Sequence, residues 1–309
     1  MDLEGIIWVV AMGLRAGTPL LFAAIGEILS QKAGNLNLGI EGLMLIGAIS
    51  GFYVANLTDN KWIGLLAALI ICALLGLVFA FIIITLRANQ VAAGIALTIF
   101  CTGLSSFVGK SMIGVVASSY FTPLSLPTLV KITVIGKIFE QDLLVYLAFL
   151  LAIGAWFLLY RTRAGLHLRA VGDDPGTADS VGINVYTTRY LYLIVSSVSA
   201  GLAGAYLSLA YSPSWIDSMA AGRGWVTIAL VSFALWNPLR AIGGAYLFGI
   251  ISSLGFRLEA VGVAVPSYFL RMTPYLLSIL ILILVCRSMK DKKMIAPAFL
   301  CVPYERESR

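Results

Sequence analysis

GEILSQKAGNLNLGIEGLMLIGA, residues 26–48, decides the fold of this chain, because a short polar break interrupts an otherwise apolar sequence there. Gly34 and Asn35 are predicted to end one helix. Asn35 or Asn37 can cap the next, which leaves Glu41 in its first turns, where the positive end of the helix dipole favours a carboxylate. The stretch therefore predicts two apolar helices joined by a polar connection.

The rest of the chain has the same apolar character. Of its 309 residues, 60% are hydrophobic and 12% are charged, and the mean hydropathy is +0.96. A soluble domain carries about 25% charged residues, so this composition excludes a single water-facing domain. The chain is predicted to be an all-α, polytopic integral membrane bundle with discontinuous helices. No Pro-, Gly- or Ser-rich linker divides it, so residues 1–309 are expected to form one transmembrane domain.

Membrane spans are located by length, because about 30 Å of hydrocarbon requires roughly 20 helical residues. This criterion predicts about nine spans, and eight or ten stay possible. The seventh is short, and the first is broken by Arg15, Gly17 and Pro19. The predicted spans are residues 6–28, 36–57, 62–86, 90–109, 140–160, 189–211, 224–237, 241–257 and 267–286.

The positions of lysine and arginine predict the orientation, since these residues are retained on the cytoplasmic side of a membrane. Placing the loop 161–188 and the tail 287–309 in the cytoplasm puts most of them on that side. The N-terminus is then outside and the C-terminus inside. This topology and the anionic inner leaflet explain the net charge of +6, so no nucleic-acid partner is invoked.

Residues for catalysis or for holding a cofactor are scarce. The single histidine, His167, has no Cys or second His nearby to complete a metal site, and the four cysteines show no paired spacing. The stretch GLSSFVGKS, residues 103–111, departs from the phosphate-loop spacing and lacks the strand that precedes such a loop. The chain is therefore predicted to be no enzyme, with no catalytic, cofactor-binding or metal residues and no ATP site.

Polar residues at membrane depth are the candidates for a translocation path, because each costs a few kcal/mol unless it has a partner or faces water. They occur at the break in residues 26–48 and at the start of the fourth span. The alternative is that they only satisfy backbone groups left open where helices break, and both interpretations stay open. The candidates are Glu27, Asn35, Asn37, Glu41, Asn89 and Gln90.

The loop 161–188 carries the signals of a short helix. In DDPGTADSVG, residues 173–182, Asp174 is a good N-cap, Pro175 fits the first helical position and Gly182 fits the left-handed residue after the end. These residues predict a helix of about two turns outside the bilayer.

Three blocks resemble one family, in the same order: GTPLLFAAIGEILSQKAGNLNLGIEGLMLIGA, ANQVAAGIALTIFCTGLSSFVG and LRAVGDDPGTADSVGINV. They are similar to permease subunits of bacterial ABC importers in the ribose and branched-chain amino-acid permease superfamily, and look most like its nucleoside and simple-sugar branch. The similarity covers roughly residues 16–290. One departure is the second block, where the family tends to begin with an acidic pair and this chain has Asn89 and Gln90.

This resemblance implies a permease of the bacterial plasma membrane that translocates a nucleoside or simple sugar delivered by a solute-binding lipoprotein. The other implied partners are a second permease subunit, identical or related, two cytoplasmic ABC ATPase subunits and membrane lipid. The short helix is implied to be the coupling helix that docks on the ATPase, with Ala178 expected to meet the ATPase on the same side as Val181. The implied coupling residues are Val171, Gly172, Asp173, Asp174, Pro175, Ala178, Val181 and Gly182.

An ion-coupled secondary transporter of a small polar solute is the alternative, because broken helices and intramembrane acids such as Glu41 also suit that class. Uptake that survives loss of any ATPase but collapses with the ion gradient would favour it. An integral-membrane enzyme is disfavoured, since no Cys, His and carboxylate cluster converges in the sequence.

Overall fold

The computed structural model describes residues 3–124, 135–260 and 296–306, together with residues 269, 272–273, 275–277, 279–280 and 283. Within these residues the regular structure is helical, apart from isolated bridges that pair Ile113 with Trp215 and Val116 with Ser214. The predicted all-α class is confirmed. The α-helices are α1 (Leu3–Lys32), α2 (Ile40–Thr58), α3 (Lys61–Ala80), α4 (Gln90–Gly109), α5 (Leu143–Arg161), α6 (Arg163–Asp173), α7 (Pro175–Ser180), α8 (Val185–Tyr206), α9 (Arg223–Phe233) and α10 (Pro238–Ala260).

In the described part of the chain, seven helical segments are long and apolar enough to cross a membrane. The predicted seventh span, residues 224–237, contains only α9, which has 11 residues, so it is no full span. The predicted ninth span, residues 267–286, falls mostly outside the described residues. A count of about nine is therefore not confirmed. The seven segments are Gly5–Lys32, Ile40–Thr58, Lys61–Thr85, Gln90–Met112, Leu143–Arg161, Val185–Tyr211 and Pro238–Glu259.

The first helix, α1, continues through Pro19, so the predicted break in the first span is wrong. Proline cannot donate a backbone hydrogen bond, and its ring disturbs the preceding turn of a helix. Membrane helices tolerate proline where side chains and neighbouring helices satisfy the freed groups. Beside the proline, the Thr18 hydroxyl donates to the Leu14 carbonyl of the preceding turn at 2.8 Å. Gly17 also lets the backbone of α10 approach α1 closely beside the proline.

Glycines at the helix crossings determine how closely the bundle packs. A Cβ at Gly47 would collide with the backbone of Gly201, and one at Gly204 would collide with the Met44 carbonyl, so α2 and α8 meet at backbone contact. A Cβ at Gly249 of α10 would likewise fall on the backbone of α1. Such close approach lets dispersion hold helices together in lipid, where no hydrophobic drive acts between them. These small residues therefore serve packing within the chain.

Large apolar side chains cover the outer faces of α3 and α4. Leu66, Leu74, Ile99 and Phe107 are all exposed on these two helices. A water-soluble monomer rarely exposes a continuous apolar surface of this kind, whereas a bilayer covers it with hydrocarbon. These faces are consistent with helices that border lipid.

The short helix α9 covers only part of the membrane depth. Its 11 residues rise about 16 Å, against about 30 Å of hydrocarbon. Its start lies beside Glu41 in the first turn of α2, because the Gly222 amide donates to that carboxylate at 2.8 Å. The turn after α9 lies near the end of α1, because the Trp236 indole donates to Gln31 Oε1 at 2.7 Å. The segment that precedes α9 therefore enters the bundle to reach this depth.

Candidate functional site

The polar connection between α1 and α2, residues 33–39, is built around the buried carboxylate of Glu27. One carboxylate oxygen accepts hydrogen bonds from the Gln31 amide at 2.8 Å and from the Asn37 backbone amide at 3.1 Å. The other accepts from the Ser196 hydroxyl of α8 at 3.0 Å. A carboxylate buried this completely persists only when its acceptor sites are satisfied. Glu27 therefore joins α1, the connection and α8.

Asn35 and Asn37 attach the same connection to α8. The Asn35 amide donates to the Arg189 carbonyl at 2.9 Å, and the Asn37 amide donates to the Ser196 hydroxyl at 3.2 Å. The prediction that one of them caps α2 is wrong, because the N-cap is Gly39 and no side chain bonds there as a cap. Asn37 Oδ1 instead accepts a hydrogen bond from the Gly39 backbone amide at 3.0 Å. This bond forms a tight turn that positions Gly39 as the N-cap of α2.

Gly34 and Glu41 lie as the sequence predicts. The helix before the connection ends at Lys32, and Gly34 has a left-handed φ of 89°. Glu41 lies in the first turn of α2. Its carboxylate, however, serves a second helix as well, because it accepts from the backbone amides of Gly222 at 2.8 Å and Gly224 at 2.6 Å. Glu41 thus places a negative charge at the N-terminus of α9, where the helix dipole is positive.

The start of α4 separates the two remaining candidates. Asn89 is exposed and caps α4, since its Oδ1 accepts from the Val91 and Ala92 amides, each at 3.0 Å. Gln90 is buried and its Oε1 accepts from the Leu36 amide at 2.8 Å. The structure therefore brings Glu27, Asn35, Asn37 and Gln90 together at the connection. Asn89 lies outside this group, and Glu41 links α2 to α9.

The predicted short helix is present as α7 between α6 and α8. Asp174 is its N-cap and accepts from the Thr177 amide at 3.1 Å, Pro175 is its first residue, and Gly182 follows with a φ of 88°. The hydrogen bonds from Thr177 hold the pKa of Asp174 below its usual range. The cap therefore stabilises α7 above the unfolded pKa of an aspartate, and this contribution is lost as the pH falls through the lowered pKa.

The residues of the loop that the resemblance implicated fall into two groups. Ala178 is 1% exposed and packs within the chain against Val171, Val185 and Tyr304, whereas Val181 is 71% exposed. The expectation that Ala178 and Val181 share a side is wrong, because α7 ends at Ser180 and the chain turns there. Val171, Gly172, Pro175 and Ala178 are buried, and Asp173, Asp174, Val181 and Gly182 are exposed.

Residues 296–306, here called the C-terminal strap, cross the end of the bundle between α6 and the connection. The Phe299 amide donates to the Gly172 carbonyl at 3.0 Å, and the Cys301 amide donates to the Gly34 carbonyl at 3.1 Å. Arg189 donates to the Val302 carbonyl at 2.9 Å. Sequence reasoning treated this segment only as tail. The signal that was available is its apolar run, APAFLCVPY, in a tail that is otherwise rich in charge.

A cavity of about 430 Å³ lies between α1, α9 and α10, and sequence reasoning missed it. Arg223, the first residue of α9, lines it and donates through Nη1 to the Met219 carbonyl at 3.0 Å and the Ala220 carbonyl at 3.2 Å. Its guanidinium lies 5.6 Å from the Tyr211 ring centroid. The available signal was an arginine between two glycines directly before an apolar run.

A second cavity, of about 610 Å³, lies between α1, α5 and α8. Apart from Ser199, its lining side chains are apolar. A polar solute would find few hydrogen-bond partners there. In the described part of the chain, no group of three His, Cys, Asp or Glu residues is placed to hold a metal ion.

Comparison with known proteins gives a consistent result. Residues 9–286 match the family described as "Branched-chain amino acid transport system / permease component". The chain is 42% identical over 256 residues to a Haloferax volcanii protein named "Putative glucose ABC transporter permease protein", covering 81% of this chain and 78% of that protein. It is 36% identical over 293 residues to a nucleoside ABC transporter permease protein of Lactococcus lactis, covering 89% and 91%.

A guanosine ABC transporter permease protein of Bacillus subtilis is 34% identical over 299 residues, covering 91% of this chain and 93% of that protein. No solved structure matches this chain.

Proposed function

Because this chain belongs to the permease-component family of branched-chain amino acid transport systems, we propose that it is the membrane-spanning subunit of an ATP-driven importer of nucleosides or simple sugars. The observation that carries the proposal is the identity of 34% to 42%, over most of the chain, with relatives named for glucose, nucleosides and guanosine. Together with this family membership, the seven apolar helices in the described residues indicate a multi-pass protein of the plasma membrane.

Transport requires further subunits, which are part of the proposal. A second permease, identical or related, completes the path, and two cytoplasmic ABC ATPase subunits supply the energy. A solute-binding lipoprotein delivers the solute from outside. The permease itself makes and breaks no covalent bond. The N-terminus is outside and the C-terminus is cytoplasmic in this arrangement.

The ATPase docks on the exposed side of α6 and α7. This assignment is supported by a capped helix that stands at one end of the bundle and presents Asp173, Asp174, Val181 and Gly182 to its surroundings. The buried residues of the same segment, among them Ala178, support this surface by packing against the rest of the chain. Asp173 and Asp174 add negative charge where α6 meets α7, and Arg163 adds an exposed positive charge at the start of α6, so the surface offers both signs to charged groups of the partner.

The contact between α9 and Glu41 opens and closes the translocation path during transport. The buried network at Glu27 contains several hydrogen bonds among three segments, so it forms a frame that is costly to open. The α9 contact rests on two backbone amides and one half-buried carboxylate. ATP-driven closure of the ATPase pair biases a bistable bundle, and a contact of this kind is the easier one to exchange between states.

The proposal is tested by uptake in a host that lacks its own nucleoside and glucose import. The chain is expressed with the ATPase, binding protein and any second permease encoded beside it, and uptake of labelled guanosine and glucose is measured. The control carries an ATPase subunit that cannot hydrolyse ATP. Uptake of either solute that requires ATP hydrolysis supports the proposal. Uptake that persists in the control and collapses when the ion gradient is dissipated would establish the secondary-transporter alternative instead.

A further inference from the structure

We infer that the cavity of about 430 Å³ between α1, α9 and α10 is the intramembrane site through which the solute passes, and that it accepts a nucleoside in preference to a simple sugar. This inference rests on the proposed function and names the solute and the residues that hold it. The volume falls within the roughly 300 to 1,000 Å³ typical of small-molecule sites.

The position of Arg223 in the membrane and its positive charge indicate a solute path. Arg223 begins α9 beside Glu41, and the next residue of α2, Gly42, packs on Thr98 and Cys101 within the membrane-spanning α4, so the guanidinium lies at membrane depth. In the described ranges no carboxylate lies within ion-pair distance of it. An intramembrane arginine without such a partner is costly unless it faces a polar path or a ligand. One of its nitrogens is engaged by two carbonyls of its own segment, which fixes the guanidinium and leaves other donors for the solute.

The other lining residues combine polar and aromatic groups, because Phe256 lies between Ser252 and Glu259 along α10. Ser252 and Glu259 of α10 add hydroxyl and carboxylate groups to the donors of Arg223. Phe256 and Tyr275, both exposed, contribute aromatic rings to the same lining. A paired donor and acceptor suit the neighbouring hydroxyls of a ribose, and the aromatic rings suit a flat base.

A hexose fits this lining less well. It carries a hydroxyl on almost every carbon, and each one that is buried needs a partner. Among the described residues that line the cavity, the polar side chains are those of Arg223, Ser252, Glu259 and Tyr275, and the Tyr275 hydroxyl already donates to the Ala221 carbonyl at 3.3 Å. Some hydroxyls of a hexose would therefore be buried against aromatic carbon. A nucleoside instead places its less polar base there.

The first test is site protection in the assembled importer. Ser252→Cys replaces a small cavity residue with a thiol of similar size, and the unsubstituted chain gives the background from its own cysteines. Reaction with a thiol reagent is followed with and without guanosine or glucose. At a guanosine concentration about ten times its Kd, labelling should slow roughly tenfold, because the free fraction falls as 1/(1 + [L]/Kd). Asp59→Cys, at the exposed C-cap of α2 and not among the residues that line the cavity, serves as a control that guanosine should not protect.

The second test is transport by Arg223→Gln and Phe256→Ala. Loss of a hydrogen bond to a charged group or of a base stack should lower the maximal rate of guanosine uptake by roughly 10- to 100-fold. The affinity of the binding protein for guanosine should not change. Arg257→Gln is the matched control, since Arg257 follows Phe256 but lies 5.5 Å from the Trp8 ring and does not line the cavity. Phe256 is exposed, so its truncation tests the site even where the Arg223 variant folds poorly.

The outcomes separate this inference from the proposed function. Failure of the parent complex to import guanosine or glucose would count against the proposed function, while protection at Ser252→Cys would still establish a nucleoside site. Normal import of guanosine, with no protection and an unchanged rate in Phe256→Ala, would overturn the cavity assignment and leave the function intact. Protection by glucose but not by guanosine would overturn the preference for a nucleoside.

Discussion

Replacing Glu41 with glutamine should loosen α9 without preventing insertion into the membrane. The carboxylate now accepts two backbone hydrogen bonds at the start of α9, from Gly222 at 2.8 Å and Gly224 at 2.6 Å. Glutamine has nearly the same size, but it offers one acceptor oxygen. Its amide group would turn a donor toward one of the two backbone amides, so one bond is lost and the negative charge at the helix N-terminus disappears.

The expected change in the free energy of opening α9 follows from the loss of one hydrogen bond and of the negative charge. A donor left without its partner costs about 1 to 3 kcal/mol, and removing a charge that complements a helix dipole costs about 0.3 to 2 kcal/mol. Because Glu41 is half-buried, water compensates part of both terms. We expect a decrease of roughly 1 to 3 kcal/mol in the free energy of opening α9, which is about a 5- to 150-fold larger open population.

Hydrogen exchange measures this opening locally. In detergent or nanodiscs, the Gly222 and Gly224 amides of Glu41→Gln should exchange about 5- to 150-fold faster than in the parent chain, while amides at the centre of α8 keep their rates. Glu140→Gln, a change of the same chemistry at an exposed position, is the control. Uptake should fall in Glu41→Gln. Unchanged exchange at both glycines would refute the reasoning that this carboxylate holds α9 in place.

Four further predictions concern the orientation, the docking surface, the buried side of α7 and the strap. Asp59→Cys should react with an impermeant thiol reagent from outside intact cells and Thr177→Cys only after permeabilisation, and the reverse pattern would overturn the orientation. Val181→Asp should keep its stability in detergent but retain the ATPase about 10- to 100-fold less well in co-purification, because it removes an apolar contact. Ala178→Trp should instead lower stability by about 1 to 3 kcal/mol, since it overpacks a buried cluster, and a normal unfolding midpoint would contradict that placement. Tyr304→Ala should speed proteolysis of the strap several-fold, because it removes the ring that packs on that cluster.

Local sequence signals predicted the parts of this fold that depend on a few neighbouring residues. Asp174, Pro175 and Gly182 specify the start and end of α7 through cap and turn geometry, and the structure contains all three as expected. Gly34 likewise ends the segment after α1 because it can adopt a positive φ. Hydropathy located most of the long helices for the same reason, since each needs only its own apolar residues.

Contacts between distant segments were not available to that reasoning. The course of α1 through Pro19 depends on its neighbours, which hold the helix although the residue alone predicts a break. Glu41 was recognised as unusual, but its partners lie 181 and 183 residues away, so no local pattern could identify them. The expectation that Ala178 faces the same side as Val181 is wrong because helical spacing does not continue past Ser180, where α7 ends.

The contacts around α7 bear on how a pull from an ATPase would reach the membrane. α6 packs directly on the end of α1, since a Cβ at Gly172 would collide with the Lys32 carbonyl. The strap bonds to Gly172 and, through Cys301, to Gly34. These backbone contacts tie α6 closely to the connection, so we expect α6, α7 and the end of α1 to move as one body. The movement needed for alternating access must then lie elsewhere, and we place it at the start of α9, which the Glu41 carboxylate holds beside the cavity through two backbone hydrogen bonds.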